Sequence, residues 1–338
     1  MVPLTAAAVK QAALDCGFEL AGIAAAVPPA DAARYQHWVS RGHAGAMGYL
    51  TDYRAGRRND PHSLLPSARS ILCVGKLYNS PQPYSTSFTD SELGWISRYA
   101  WGADYHDVLR DGLLRVAERL GINEYKLCVD TAPLLERSFA RLAGLGWIGK
   151  NTCLINQGQG SWFFLGELLL PYDLAPDSPP ADRCGTCTRC IDACPTQAIV
   201  SPFDLDARLC ISYFTIELRG PSPEALRPGI GNHVFGCDIC QDVCPWNRKA
   251  AVTHDSAFAP AIVNPPLEDL ASLSREEFDA MFRSTPIHRS KYSGFLRNVA
   301  VAMGNSGSPK FRAPLERMLQ TSDAVVAESA KWALGQLR

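Results

Sequence analysis

Two rhythms of apolar and polar residues alternate through the first 175 positions of the chain. "ARSILCVGKLY" (68–78) is an apolar run behind the turn-forming "LPS", which predicts a buried strand. "DYHDVLRDGLLRVAERLG" (104–121) places its apolar residues at helical spacing, and Gly121 closes it. "EYKLCVD" (124–130) reads as a further strand, and "APLLERSFARLAGLG" (132–146) as a helix with Pro133 in its first turn. "GSWFFLGELLL" (160–170) is a strong strand, and the N-terminal "MVPLTAAAVKQAALDCGFELAGIAAA" reads as an amphipathic helix. This alternation predicts an α/β domain over residues 1–176. "PYDLAPDSPPADR" (171–183) is a Pro- and Asp-rich linker into a segment, 177–250, dominated by cysteine.

From residue 251 to 338 the pattern turns helical. "LRNVAVAMGNSG" and "ESAKWALGQL" match loosely when Gly304 is set on Gly335, a period of about 31 that resembles helical solenoid repeats of the HEAT type. An ordinary helical cap over the preceding domain is the alternative. Residues 283 to 317 hold seven Arg or Lys and one acid, Glu316. In a chain of 338 residues with a formal net charge of -1, that is the local patch a phosphate backbone requires, although a solvated helix face reads the same way.

Composition, with 46% hydrophobic and 20% charged residues, is that of a soluble globular protein. The N-terminus lacks an early basic region, and no run of about 18 uncharged apolar residues is present, so neither a signal peptide nor a membrane span is expected. A cytoplasmic monomer is the expectation. Cysteine clusters in that reduced compartment are more often metal-binding than disulfide-bonded.

The twelve cysteines then change the picture. "CGTCTRCIDACP" sets Cys184, Cys187, Cys190 and Cys194 at x2-x2-x3 spacing before Pro195, the ligand run of a [4Fe–4S] ferredoxin. In two-cluster ferredoxins the fourth cysteine of such a run serves the other cluster. "CDICQDVCPWN" supplies the second run, Cys237, Cys240 and Cys244 before Pro245, with Cys210 the nearby candidate for its missing lead. The crossover assigns Cys184, Cys187, Cys190 and Cys244 to one cluster and Cys194, Cys210, Cys237 and Cys240 to the other. Zinc is the competing metal, yet zinc sites do not need this doubled spacing. Cys16, Cys73, Cys128 and Cys153 lie in apolar contexts and read as small buried hydrophobes.

"VDTAPLLERSFARLAGLGWIGKNTCLI", "GSWFFLGELLL", the doubled cysteine motif with Cys210 between, and "GCDICQDVCPWN" together closely resemble the epoxyqueuosine reductase family, over nearly the whole chain. The resemblance implies an α/β domain that carries cob(II)alamin, a ferredoxin-like domain with two [4Fe–4S] clusters, and HEAT-like helices that help to hold tRNA. It also implies kinship with the reductive dehalogenases. The activity implied is the two-electron reduction of epoxyqueuosine to queuosine in the tRNA anticodon loop, with an external electron donor. The D-x-H-x-x-G motif through which some cobalamin enzymes offer a histidine to cobalt is absent; "DYHDVL" (104–109) does not fit it. Asp130 corresponds to the family's proposed proton donor, where burial beside the cofactor would push its carboxyl toward the acid form; capping of the following helix is the plainer role. Corrin contacts are expected from Arg57, Arg58, Asp104, Tyr105, His106, Lys150, Asn151 and Ser161. Phosphate contacts are expected from Arg289, Lys291 and Arg297, with Arg219 and Arg248 flanking the cysteine motif. Two other readings are a dehalogenase-like enzyme acting on a small organohalide and a non-enzymatic two-cluster electron carrier.

Overall fold

The structure, a computed structural model, describes residues 4–338. The first three residues of the N-terminal stretch lie outside the described residues. What reads as one helix in that stretch is a helix and a strand: α1 (Ala6–Asp15), capped by the Thr5 hydroxyl, ends at a turn where Gly17 takes φ +96°, and β1 (Leu20–Ala25) follows. Then come α2 (Asp31–Ser40), the single turn α3 (Arg54–Arg57), β2 (Ser70–Leu77), β3 (Trp95–Ile96), α4 (Tyr105–Arg119), β4 (Lys126–Cys128), α5 (Glu136–Leu142), the hairpin β5 (Trp147–Ile148) and β6 (Leu154–Ile155), and β7 (Phe163–Leu170).

The central sheet runs β1-β2-β7-β4, and every pairing in it is antiparallel. Alternation of strand and helix along the chain therefore does not produce the parallel, doubly wound sheet it usually signals. Helices still cover both faces. Val9 and Ala13 of α1 and Leu109, Leu113 and Val116 of α4 pack with Ile23, Leu72, Val74 and Leu168 on one side. Phe139 and Ala140 of α5 pack with Ala24, Ile71, Cys73 and Leu169 on the other. All eight residues of β2 are buried, as expected for a strand covered on both faces. At Gly22 any Cβ would sit 1.9 Å from the Ala143 carbonyl oxygen, so only glycine lets β1 meet the end of α5.

The cysteine segment carries two matching helical turns, α6 (Arg189–Asp192) and α8 (Ile239–Asp242), which bear Cys190 and Cys240. Between them lie β8 (Ile199–Ser201), β9 (Asp204–Leu205), α7 (Arg227–Ile230) and β10 (His233–Phe235), the last pairing with β3 of the N-terminal part. The tail is helical: α9 (Leu267–Ser272), α10 (Arg275–Phe282) with a Ser274/Glu277 capping box, α11 (Lys291–Ser306), α12 (Arg312–Leu319) and α13 (Ala324–Leu334). α11 is buried on all sides from Gly294 to Gly304, which makes it the tail's central helix. A Cβ at Gly304 would meet the Ala333 Cα at 2.8 Å, so glycine sets the close approach of α11 and α13. No described helix is long and apolar enough to cross a membrane.

Candidate functional site

A large cavity, about 880 Å³, opens between α2, the loop that joins β4 to α5, the β5–β6 hairpin and the β8–β9 turn. Asp130 lies on its wall, its side chain 48% exposed. The backbone there is unusual, because Asp130 takes φ +50°, a left-handed conformation that few residues with a Cβ adopt. Its N–H donates to the Glu136 carboxylate, which opens α5. That closure starts α5 at Glu136, three residues beyond the Pro133 that sequence places in its first turn.

Asp130 Oδ2 lies 3.2 Å from His106 Nε2, and His106 Nδ1 lies 2.7 Å from Asp104 Oδ1. Asp104 also accepts the His106 backbone N–H at 3.0 Å as the N-cap of α4, so one carboxylate starts the helix and orients the imidazole. Burial pulls His106 down, but the hydrogen bonds to Asp104 and Asp130 outweigh it and hold the imidazole up at about 9. Burial pushes Asp130 up, yet the His106 hydrogen bond and charge, with Arg289 behind them, hold it below the usual carboxylate range. In this arrangement the dyad's proton lies toward His106 rather than Asp130. Glu136, raised to about 8 by burial and by the Asp130 charge, is the carboxyl that stays protonated.

A second cavity, about 270 Å³, is lined by Cys184, Cys187, Cys190 and Cys244, with Pro245, Trp246 and Lys150 around them. Burial, then the neighbouring Cys244 and Cys184, pushes Cys190 up to about 11. The other four thiols form a separate group. Burial is the main cause that raises Cys210 and Cys237; Cys194 is among the neighbours that add to both, and Cys237 and Cys210 add to the rise at Cys240. Among the described residues no three His, Cys, Asp or Glu side chains close on one point to grip a single ion. Cys153, read from sequence as a core filler, neighbours the Cys240 thiol and is the first cause of its rise.

One loop serves both thiol groups. Lys150 Nζ donates to the Gly185 and Cys187 carbonyls at 2.7 and 3.0 Å, and Asn151 Nδ2 to the Cys240 carbonyl at 3.2 Å. Ser161 is buried and bonded to Asn247 and Gln241. All three thus support the cysteine segment, and none is among the residues that line the large cavity. Trp147 lines the large cavity and Trp246 the small one, ring centroids 5.1 Å apart, so an aromatic pair bridges the two walls.

A family model described as "4Fe-4S double cluster binding domain" matches residues 183–247, and one described as "Epoxyqueuosine reductase QueG, DUF1730" matches residues 58–131. The epoxyqueuosine reductase of Xanthomonas campestris is 42% identical, covering 98% of this chain and 96% of the relative. The chain belongs to the epoxyqueuosine reductase family. The Salmonella typhimurium epoxyqueuosine reductase is 39% identical over 97% of this chain and 87% of its own. A crystal structure of epoxyqueuosine reductase with an epoxyqueuosine-modified tRNA-Tyr stem loop superposes with a TM-score of 0.87 at 30% identity, covering 97% of this chain and 88% of that one. An epoxyqueuosine reductase from Bacillus subtilis, solved with its catalytic aspartate loop swung out of the active site, gives 0.76 at 28% identity over 98% of both chains.

In this member of the epoxyqueuosine reductase family the remaining expected contacts divide by position. Arg58, 5% exposed, lines the large cavity and donates to the Tyr49 carbonyl, while Arg57 lies over the Tyr53 ring away from the wall. Tyr105 stacks on Phe164 and on His106, behind the Asp130 pair. Arg289 pairs with Glu217 at 2.6 Å and lies over the Tyr49 ring, close enough to Asp130 to lower its pKa. Lys291 and Arg248 are exposed; exposed Arg219 is tied to the Arg289 and Ser290 carbonyls.

Arg297 must be withdrawn as a phosphate contact. It sits inside the all-round buried α11, 1% exposed, and its guanidinium is spent on the Phe214, Leu218 and Gly220 carbonyls. Arg297→Ala is therefore expected to lower stability by about 3 kcal/mol, as buried carbonyls lose their donor, whereas Lys291→Glu leaves stability within about 0.5 kcal/mol and weakens tRNA binding. Urea unfolding and salt-dependent tRNA titrations of both variants check this. Sequence reasoning missed Glu136, Tyr49 and the cavity-lining Arg34, Arg137 and Arg141, because nothing in local spacing marks them.

Proposed function

We propose that this chain reduces epoxyqueuosine to queuosine in the anticodon loop of tRNA. The carrying observation is Asp130, on the wall of a cavity that neighbours a thiol-lined pocket and paired with His106 behind it, in a chain that belongs to this family. The reaction opens an epoxide, breaks both C–O bonds, forms C=C and releases the oxygen as water, which takes two electrons and two protons. The eight cysteines would hold two [4Fe–4S] clusters in the crossed sets described above.

The large cavity fits a corrinoid. Leu134, Leu135, Trp147, Ile148 and Phe203 offer an apolar wall, and Arg34, Arg58, Arg137 and Arg141 a cationic edge for phosphate and amide groups. A bound cobalamin would supply the low-valent metal chemistry that collects single electrons for a two-electron reduction. The protein's own residues do the rest. Asp130 accepts a hydrogen bond from protonated His106 and presents that proton to the leaving oxygen. Asp104 fixes the imidazole. The extruded wobble base would enter the cavity while exposed cations of the tail and cysteine segment, Lys291, Arg248 and Arg219, would meet phosphates, with Arg289 beside them. In this reading residues 1–176 carry the corrinoid, 177–250 the clusters, and 251–338, as HEAT-like repeats, help to hold tRNA.

Anaerobically prepared protein loaded with iron, sulfide and cobalamin is expected to convert epoxyqueuosine in tRNA to the deoxygenated nucleoside, read by mass spectrometry of the digested tRNA. No conversion by material with full iron and corrin content would exclude this function.

A further inference from the structure

We propose that Glu136 is a positioning residue: it latches Asp130 in its working conformation by accepting the Asp130 backbone N–H. The inference rests on the function proposed above. Three observations carry it. Asp130 holds a left-handed φ of +50°, a conformation uncommon for residues with a Cβ, which aspartate reaches more readily than most but which still gains from support. The loop between β4 and α5 has little else to enforce it, since its own backbone bonds are short-range ones, Thr131 N–H to the Val129 carbonyl and Leu134 N–H to the Ala132 carbonyl. The Glu136 side chain reaches back six residues from the first turn of α5 and takes the one N–H whose orientation decides where the Asp130 carboxylate points. From there Asp130 Oδ2 meets His106 at 3.2 Å.

The state of Glu136 suits this task. Burial and the nearby Asp130 charge raise it to about 8, so at neutral pH it is largely the neutral acid, and its carbonyl-type oxygen accepts without adding a second negative charge beside Asp130. Glutamine has the same shape and the same acceptor, and should reproduce the latch. Alanine has neither. A residue needed only to fill space, or needed for its own proton, would behave differently.

The test uses the full-length, cofactor-loaded protein as Glu136→Ala and Glu136→Gln, with iron content and visible spectrum confirming intact folding. Two quantities are read: kcat and KM on epoxyqueuosine-containing tRNA, and hydrogen–deuterium exchange at the Asp130 amide. Glu136→Ala is expected to lower kcat by about 100-fold, the scale of a misplaced catalytic group, with KM for tRNA unchanged. Its Asp130 amide should exchange at least about tenfold faster. Glu136→Gln is expected to stay within a few-fold of wild type in both. Wild-type exchange at Asp130 in the alanine variant, or a glutamine variant as impaired as alanine, overturns the latch. If the wild type itself failed to reduce epoxyqueuosine, the proposed function would fall, and amide exchange alone would still decide the latch.

Discussion

Asp130→Asn is expected to lower kcat by about 1,000-fold, the range of a lost general acid, while iron, corrinoid and tRNA affinity stay at wild-type levels. The reasoning starts from shape. Asparagine fits the same space and still offers an oxygen to His106 Nε2, so the local architecture survives. It cannot take up the imidazole proton and pass it on, and the leaving oxygen then departs without a donor. The pH dependence follows from where the proton sits. His106 is held at about 9 by Asp104 and Asp130 against the opposing effect of burial, and Asp130 lies below the usual carboxylate range. Raising the pH through about 9 empties the imidazolium, so kcat/KM should be flat near neutrality and fall on the alkaline side. Lowering it protonates Asp130 only under distinctly acidic conditions. His106→Asn should remove the alkaline limb together with most of the activity, because the limb belongs to the pair. The same sign governs folding: the His106 contribution to stability is complete below its unfolded value of about 6.5 and is lost as pH rises through the folded value. A kcat for Asp130→Asn within threefold of wild type would remove the residue from the chemistry.

Particular residues show what the sequence made legible. Spacing, with Cys210 as the nearby candidate, suggested the thiol sets, because a short loop that presents three sulfurs to one cluster aims its fourth elsewhere, and the grouping of Cys244 with Cys184, Cys187 and Cys190 around one cavity is consistent with that reading. Strands such as 70–77 and the helix 105–119 were readable because their apolar patterns have one period each. Sheet direction was not, since antiparallel and parallel crossovers through a helix leave the same alternation behind. Asp130 could be located but not its protonation, which depends on His106, 24 residues upstream, and on Arg289 from the tail. Arg297 was misjudged for a related reason. Local charge density resembles a phosphate patch, and only packing reveals that α11 is the central helix, with this guanidinium turned onto backbone carbonyls.

Cys244→Ala should remove the same cluster signal as Cys190→Ala, although 54 residues of chain separate them. Cys244 follows Cys237 and Cys240 at ferredoxin spacing, so a pairing local in sequence would group it with them. The fold sends it the other way: its side chain joins Cys184, Cys187 and Cys190 around the smaller cavity, while Cys194 of the first run faces Cys210 and Cys237. Each single substitution should reduce iron from about eight to about four per chain and lower turnover with a one-electron donor by at least about 100-fold, since reduction stalls when electrons cannot reach the large cavity. Iron counting cannot tell crossed from local pairing, but the identity of the surviving cluster can. Electron paramagnetic resonance of the dithionite-reduced variants should show one spectrum shared by Cys190→Ala and Cys244→Ala, and a different one shared by Cys194→Ala and Cys237→Ala. If Cys190→Ala instead matched Cys194→Ala, each run would be holding its own cluster. The crossed arrangement has a mechanical consequence as well. If each cluster is gripped by both runs, as proposed, losing one should loosen both α6 and α8 and, through Lys150 and Asn151, the loop that ties them to the β5–β6 hairpin on the cavity wall. The cysteine variants should therefore also bind cobalamin more weakly, which a titration of the Cys244→Ala protein would register.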